Sequence, residues 1–473
     1  MRRNTLIVGL AAGAYLLIFG IFTAIRQYHF QTQAWDMGIF DQLFWNTLHG
    51  RFMQGTLEEL PQHFGIHFSP FLLALVPLYA LVPSPYTLLF LQTGALALGV
   101  FPLYGIACRK LTRPFPEIIA GAYLLSPALQ WVNIFDFHSV AFFIPLFLAA
   151  WYFAEQRSYL PASAFFLLAA ATKEDAPLVI LFAGLFFLIR GWRDRDRRVK
   201  SFGGILALAA GIYFAATIYM IMPAFGGGLL RIDRYQELGG SFSALLLSPF
   251  LKPAAFLNTI FQFPKLMYVF WLFAPLLFLP LASGSALLLL APGLAENLLT
   301  SYQPQFSGLY QYDALLIPGL FISTIYGIQW LAARHPAYVN KLKSGLIATI
   351  AIGFLFRAPI SPFTFPSSLF SSNLTWDTYA SLLARIPDNA SVSAFSNLVP
   401  HLSERKEVYL FGSEDYRPVD YFIIDGADLS GFGTPEAFQS YVDYYMSSGD
   451  YTYTELDNRY FILKRITPAD GAQ

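Results

Sequence analysis

Charge is scarce in this chain. Asp, Glu, Lys and Arg make up 13% of its 473 residues, against about 25% in soluble domains. The 30 basic and 30 acidic residues cancel, so there is no bulk positive field, and nucleic acid is not an expected partner. The one cysteine, Cys108, excludes an internal disulfide and says nothing about redox compartment. There is no internal repeat and no low-complexity tract, which argues against a transporter built from duplicated halves.

What is abundant is apolar sequence, 56% of the chain. Runs of membrane-spanning length recur from Thr5 to about Arg357 and then stop. The first run, 5–25, follows Arg2 and Arg3. It is longer than a signal-peptide core and lacks a clear cleavage site, so it reads as a retained span. Basic residues in short loops mark the cytoplasmic side. They cluster at Arg2-Arg3, at Arg109-Lys110 with Arg113, along 190–200, and at Arg334 with Lys341 and Lys343. All four clusters fall inside only if 68–82, with Pro70 and Pro77, does not cross. That stretch is too short for a 30 Å hydrocarbon core.

The expectation is an α-helical polytopic membrane protein with about eleven spans, near 5–25, 86–107, 117–133, 139–154, 161–172, 176–190, 201–222, 264–281, 284–298, 313–332 and 344–357. Residues 1–357 form the membrane domain, with 26–82 as an outer loop carrying surface helices. Residues 358–374, with Pro359, Pro362 and Pro366, form a linker. Residues 375–473 read as a small extracytoplasmic α/β domain. Its expected strands are 391–395, 407–411, 420–424, 452–455 and 460–464, the last two a hairpin around Asp457-Asn458. Its expected helices are 375–385 and 435–446. The protein is placed in the plasma (inner) membrane, multi-pass, with its N-terminus in the cytoplasm.

Lys173, Glu174 and Asp175 interrupt a thirty-residue apolar run, 161–192. One charge at the centre of a membrane helix costs about 2.5–3.5 kcal/mol, so three in a row cannot face lipid. Either the run is two shorter helices with the triplet at their junction, or the triplet lines a wet cavity. Asp36 follows the first span and reads two ways, as a helix N-cap or as a general base or metal ligand. Asp41 lies five residues on, about 140° around a helix. His63 and His67 have the i, i+4 spacing that aligns side chains on one helical face; Gly65 and Ser69-Pro70 weaken that helix. Asp136 and His138 flank Phe137 in a short turn. Arg231 and Arg234 sit in a glycine-rich loop and suit an anionic headgroup. Tyr310, Tyr312 and Asp313 precede the tenth expected span; the tyrosines fit an ordinary aromatic belt. With the expected topology these segments converge on the outer face.

Several strings together carry a resemblance: Asp36-Met37-Gly38-Ile39-Phe40-Asp41 with Trp45, His67-Phe68-Ser69-Pro70, Pro77-Leu78-Tyr79, Asp136-Phe137-His138, Lys173-Glu174-Asp175, and Pro400-His401-Leu402-Ser403 with Arg405. Over nearly its whole length the chain resembles a family of prokaryotic polytopic membrane proteins known as a domain of unknown function. That family in turn resembles the GT-C glycosyltransferases, whose Thr-Lys site is similar to Thr172-Lys173 here. Gln311-Tyr312 departs from the His-Tyr that family members often carry.

The resemblance implies an enzyme moving a sugar from a polyprenyl-phosphate donor to a glycan, lipid or protein acceptor on the outer face. Asp36 is then the base, with Glu174 and Asp175 as further catalytic carboxylates. Lys173, Arg231 and Arg234 stabilise the leaving phosphate, and Asp41, His67, Asp136, His138 and Tyr312 complete the substrate site. A divalent cation, Mg or Mn, held by Asp36 and Glu174, is the expected cofactor if one is used. The alternatives are a transporter or lipid flippase, and a structural protein of the cell envelope.

Overall fold

In hydrocarbon no water is present to satisfy backbone N–H and C=O groups, and helices answer this within one segment. The computed structural model describes residues 2–370, 374–412, 417–429 and 431–466, and it is mostly helical. Among the described residues, five helices are long and apolar enough to cross a membrane: Asn4–Tyr28, Pro85–Lys110, Ala176–Arg193, Arg197–Ala224 and Pro336–Arg357. A sixth follows if the pair Leu230–Leu251 and Pro253–Ile260, bent by 101°, counts as one span.

This corrects the expected eleven spans, and proline explains much of the difference. The run expected at 117–133 divides into Phe115–Leu124 and Pro127–Ile134. The run at 264–281 ends its helix at Phe273; Pro275 and Pro280 follow, with Leu277 and Phe278 in left-handed conformation between them. Proline lacks the N–H that would continue the ladder. Short apolar helices are the result.

Contacts divide the chain into two compact units. The first comprises Met1–Phe22, Phe64–Leu75 and Phe90–Pro366; the second comprises Thr23–His63, Val76–Leu89 and Ser367–Gln473. In the first unit, helices Ala176–Arg193 and Arg197–Ala216 form a hairpin in backbone contact. A Cβ on Gly184 would lie 2.4 Å from the Ala207 nitrogen, one on Gly191 2.2 Å from that of Lys200, and one on Gly203 2.3 Å from that of Leu188. Only glycine permits this approach. The Asp196 carboxylate caps the second helix by accepting from the N–H groups of Arg198 and Val199. At the same end, the Glu155 carboxylate pairs with Lys110 at 2.7 Å and Arg190 at 2.6 Å and accepts from the Tyr326 hydroxyl. Two of the basic clusters thus meet at one end of the unit.

The second unit contains a five-stranded sheet, with β1 Val392–Ala394, β2 Val408–Leu410, β3 Tyr421–Asp425, β4 Tyr451–Leu456 and β5 Tyr460–Arg465. Their order is β2-β1-β3-β5-β4, parallel among the first three and antiparallel thereafter. Three residues join paired Leu456 and Tyr460; Asp457 and Asn458, with φ of 54° and 51°, are the left-handed centre of the turn that the Arg459 N–H closes on the Leu456 carbonyl. Helix Pro435–Ser447, capped by the Thr434 hydroxyl, packs Phe438, Tyr441 and Tyr445 against Phe422 and Leu463. The five strands and the helices at 374–383 and 435–447 fall within a residue or two of expectation. Part of the linker expected at 358–374, residues 371–373, lies outside the described residues.

The segment Thr23–His63 belongs to this second unit. The Gln42 amide donates to the Lys406 carbonyl at 3.2 Å, and the Asn397 amide to the Phe30 carbonyl at 2.6 Å. The Thr56 hydroxyl is bonded to the backbone of Val408.

Candidate functional site

The charged triplet does sit at a junction, between helices Tyr159–Ala170 and Ala176–Arg193. Pro177 helps fix where the second helix starts, because its ring suits the first helical turn. The segment Phe64–Leu75 is laid beside the junction: the Phe71 N–H donates to the Ala171 carbonyl at 2.9 Å, and His67 Nδ1 lies 2.9 Å from the Glu174 carboxylate.

Lys173 is ion-paired with Asp175 and lies 3.6 Å from Glu296. Glu296 comes from helix Ala291–Leu299. Burial presses the Lys173 ammonium toward neutrality, but Asp175, Glu296 and Glu174 outweigh this and hold it well above the ordinary lysine range. Burial also opposes ionisation of Glu174; His67 and Lys173 overcome it and keep the carboxylate below its usual range. The junction therefore holds a fixed positive charge and a fixed negative one side by side.

A second cation joins this cluster. The helical turns Leu230–Leu238, where the sequence predicts a loop, carry Arg231, Arg234 and Tyr235. The Tyr235 hydroxyl donates to the Glu296 carbonyl at 3.1 Å, and the Gln305 amide reaches both Tyr235 and Glu296. Arg234 lies over the Tyr302 ring, 4.1 Å from its centroid, and donates to the Tyr312 hydroxyl at 3.4 Å. Among the described residues no carboxylate pairs with the Arg234 guanidinium. Arg231 is on the same helical turns, one turn earlier, and half-buried.

Tyr312 is positioned in turn. The Asn297 amide donates to the Tyr312 carbonyl and to the Tyr268 hydroxyl, which donates to Asp313 at 2.6 Å. Tyr310 sits edge-on to Phe135, whose ring stacks with His138. Both ends of the Asp136–His138 turn are held by one side chain: the Gln92 amide donates to the Asp136 carbonyl, and its oxygen accepts from the His138 N–H, each at 2.7 Å. Asp136 is buried with φ of 46°, a conformation Asp tolerates better than most residues.

The first unit thus holds His67, Glu174, Lys173 and Asp175 in direct contact, links Arg234 and Tyr312 to them through Tyr235 and Glu296, and sets His138 against Phe135 and, through it, Tyr310. Sequence reasoning missed Glu296, Asn297, Tyr235, Gln305 and Gln92. The signal for three of them was present. Glu296 and Asn297 are polar residues inside the apolar run 284–299, and Gln92 lies inside 85–110; such residues mark functional sites in membrane helices.

Asp36 and Asp41 belong to the second unit. Asp36 is not an N-cap: it lies within the helical turn Ala34–Gly38, whose cap position is Gln33. Asp41 is fully buried, 2.8 Å from the Tyr79 hydroxyl and 2.7 Å from that of Ser403. Burial, together with the Glu404 carboxylate, pushes the Asp41 carboxyl up to about 7 against the pull of those two hydroxyls. His63 and His67 do not share a helix face, because the helix there is only His63–Ile66, and His63 bonds to Glu58.

Among the described residues, no three His, Cys, Asp or Glu side chains gather as a metal site. At the junction Glu174 is engaged by His67 and Asp175 by Lys173. What the cluster offers chemically is two cations, carboxylates beside one of them, and tyrosine rings beside the other. Comparison with curated proteins returned no match. The sequence profile of the predicted membrane proteins designated DUF2079 matches residues 26–460, and the chain belongs to that family.

Proposed function

We propose that this chain is a membrane glycosyltransferase of GT-C type that takes a sugar from a polyprenyl-phosphate donor. The observation carrying the proposal is the link between its two cations. Arg234, without a carboxylate partner among the described residues, is joined through Tyr235 and Glu296 to Lys173. A guanidinium and an ammonium so held suit a phosphate on which charge develops as a bond breaks. Tyrosine rings beside Arg234 suit a sugar, whose C–H faces pack on aromatic surfaces.

In the reaction the acceptor oxygen attacks the sugar C1, and the bond from C1 to the phosphate oxygen breaks. Polyprenyl phosphate leaves with the electron pair while the acceptor proton passes to a carboxylate. Asp36 is the sequence-based candidate for that carboxylate. The acceptor side is taken to be extracytoplasmic, from the charge rule applied to the loops.

The test is transfer from labelled polyprenyl-phosphate sugars in proteoliposomes, with donor affinity measured on purified, folded Lys173→Met. Sugar-dependent release of polyprenyl phosphate and a tenfold or greater loss of donor affinity are expected. Unaltered donor affinity retires the phosphate role of Lys173. Absence of donor binding and transfer across a panel of sugars retires the enzyme in favour of a transporter or flippase.

A further inference from the structure

Helices Phe242–Leu251 and Pro253–Ile260 are built inside out. The first arm exposes Leu246, Leu247, Phe250 and Leu251, with Phe250 80% accessible, while Ser248, facing the other way, is 1% accessible; Ser243, in its first turn, is exposed. The second exposes Leu257 and buries Thr259, at 2%. A helix on an aqueous surface has the opposite polarity, with its apolar stripe turned inward. Phe261 and Phe263, which lead into the next helix, are exposed as well.

Buried polar groups complete the pattern. The Ser248 and Thr259 hydroxyls each donate back to a carbonyl of their own helix, at 2.7 and 2.9 Å. The Thr259 carbonyl, near the end of the second arm, would lack a partner where water is excluded. Lys265, 1% accessible, supplies it: its ammonium donates to the carbonyls of Thr259, Leu298 and Thr300 at 2.7–2.8 Å. A lysine buried to satisfy helix-end carbonyls is a device for a site without solvent.

Length then decides how the pair meets lipid. The arms have ten and eight residues, about 15 and 12 Å at 1.5 Å per residue, and the segment Leu230–Leu251 that includes the first is bent by 101° from the second. Neither reaches across the roughly 30 Å hydrocarbon layer. We propose that residues 242–260 form a hairpin embedded in a single leaflet, with acyl chains covering its outward face. The occupied leaflet is the one adjoining the Arg234 cluster, since Thr259 lies 3.4 Å from Glu237 and Lys265 reaches Thr300. The hairpin thereby fixes the depth of that cluster relative to the lipid phosphates. It stands whether or not the chain transfers sugars.

The test uses a Cys108→Ala background reconstituted in phosphatidylcholine–phosphatidylglycerol vesicles. Spin labels are placed at Phe250→Cys and, independently, Leu257→Cys; cysteines at Gly228 and Gln262 are probed with an impermeant maleimide. Oxygen collisions several-fold above those with a water-soluble nickel chelate are expected at 250 and 257. Positions 228 and 262 are expected to react from the same side. Nickel collisions exceeding oxygen collisions would mean a water-facing surface, and labelling of 228 and 262 from opposite sides would mean a broken span. Dipolar broadening between labels with both collision rates low would mean a second copy covers the face. Any of these three overturns the proposal.

Discussion

Asp41→Asn offers a quantitative test of the buried core of the second unit. The Ser403 oxygen lies 2.7 Å from Asp41 Oδ2 and 3.0 Å from the Pro400 carbonyl, and Tyr79 donates to Asp41 Oδ1. A hydroxyl has one proton, so Ser403 cannot donate to both oxygens. A protonated Asp41 resolves this by donating to Ser403, which then donates to Pro400. The Asn amide does the same through its NH2 group. Raising the carboxyl from 3.8 to about 7 costs the ionised folded state about 4 kcal/mol, at about 1.4 kcal/mol per pH unit. The sign follows: the stability that the neutral carboxyl contributes is complete below about pH 4 and is lost as pH rises through about 7. His401, lowered to about 4 by burial, works in the opposite direction, losing stability as it is forced to take a proton in acid. It is common to both proteins and largely cancels in their difference. Thermal unfolding at pH 5 and pH 8, with hydrogen exchange of β1 and β3 as the local readout, measures that difference. The variant should gain on the wild type by about 2–3 kcal/mol between the two pH values. A difference that does not change with pH would refute the assignment of the proton to Asp41.

Asp36→Asn should abolish sugar transfer and leave unfolding unchanged; near-normal turnover would remove Asp36 from the mechanism. Reporter fusions in the 194–200 loop and beyond Arg465 should report opposite faces of the membrane, and agreement between them would overturn the charge-based topology. Lys265→Met should lower stability, by about 1–3 kcal/mol for each carbonyl left without its donor, whereas Lys265→Arg should recover part of that. Equal stability of Lys265→Met and wild type would show that the carbonyls find other partners.

Much of the second unit was legible because its signals are local. Strands bounded by polar residues, a Thr-Pro helix start and an Asp-Asn turn each fix structure within a few residues. The junction at Lys173 was legible for the same reason, since three adjacent charges cannot be absorbed by a continuous span. What escaped was non-local. Hydropathy treats 117–133 and 264–281 as continuous runs, but it does not register that Pro127 and Pro275 interrupt the hydrogen-bond ladder. The partnership of Lys173 with Glu296 spans 123 positions, and no periodicity in the intervening chain announces it. Of the two readings of Asp36, the N-cap fails because the helical turn starts two residues earlier, at Ala34.

The glycine-sealed hairpin of Ala176–Arg193 and Arg197–Ala216 has a practical consequence for imaging. Two helices touching through their backbones at Gly184, Gly191 and Gly203 have little freedom to slide or splay. One end of this stiff lever begins at Asp175, and the other turns at Arg195, where φ is already 55°. A rigid fusion partner or antibody fragment docked at that turn would be carried without slack. It would give particles of this size an alignment marker on one face and a direct gauge of how far the Lys173 junction moves when a ligand binds.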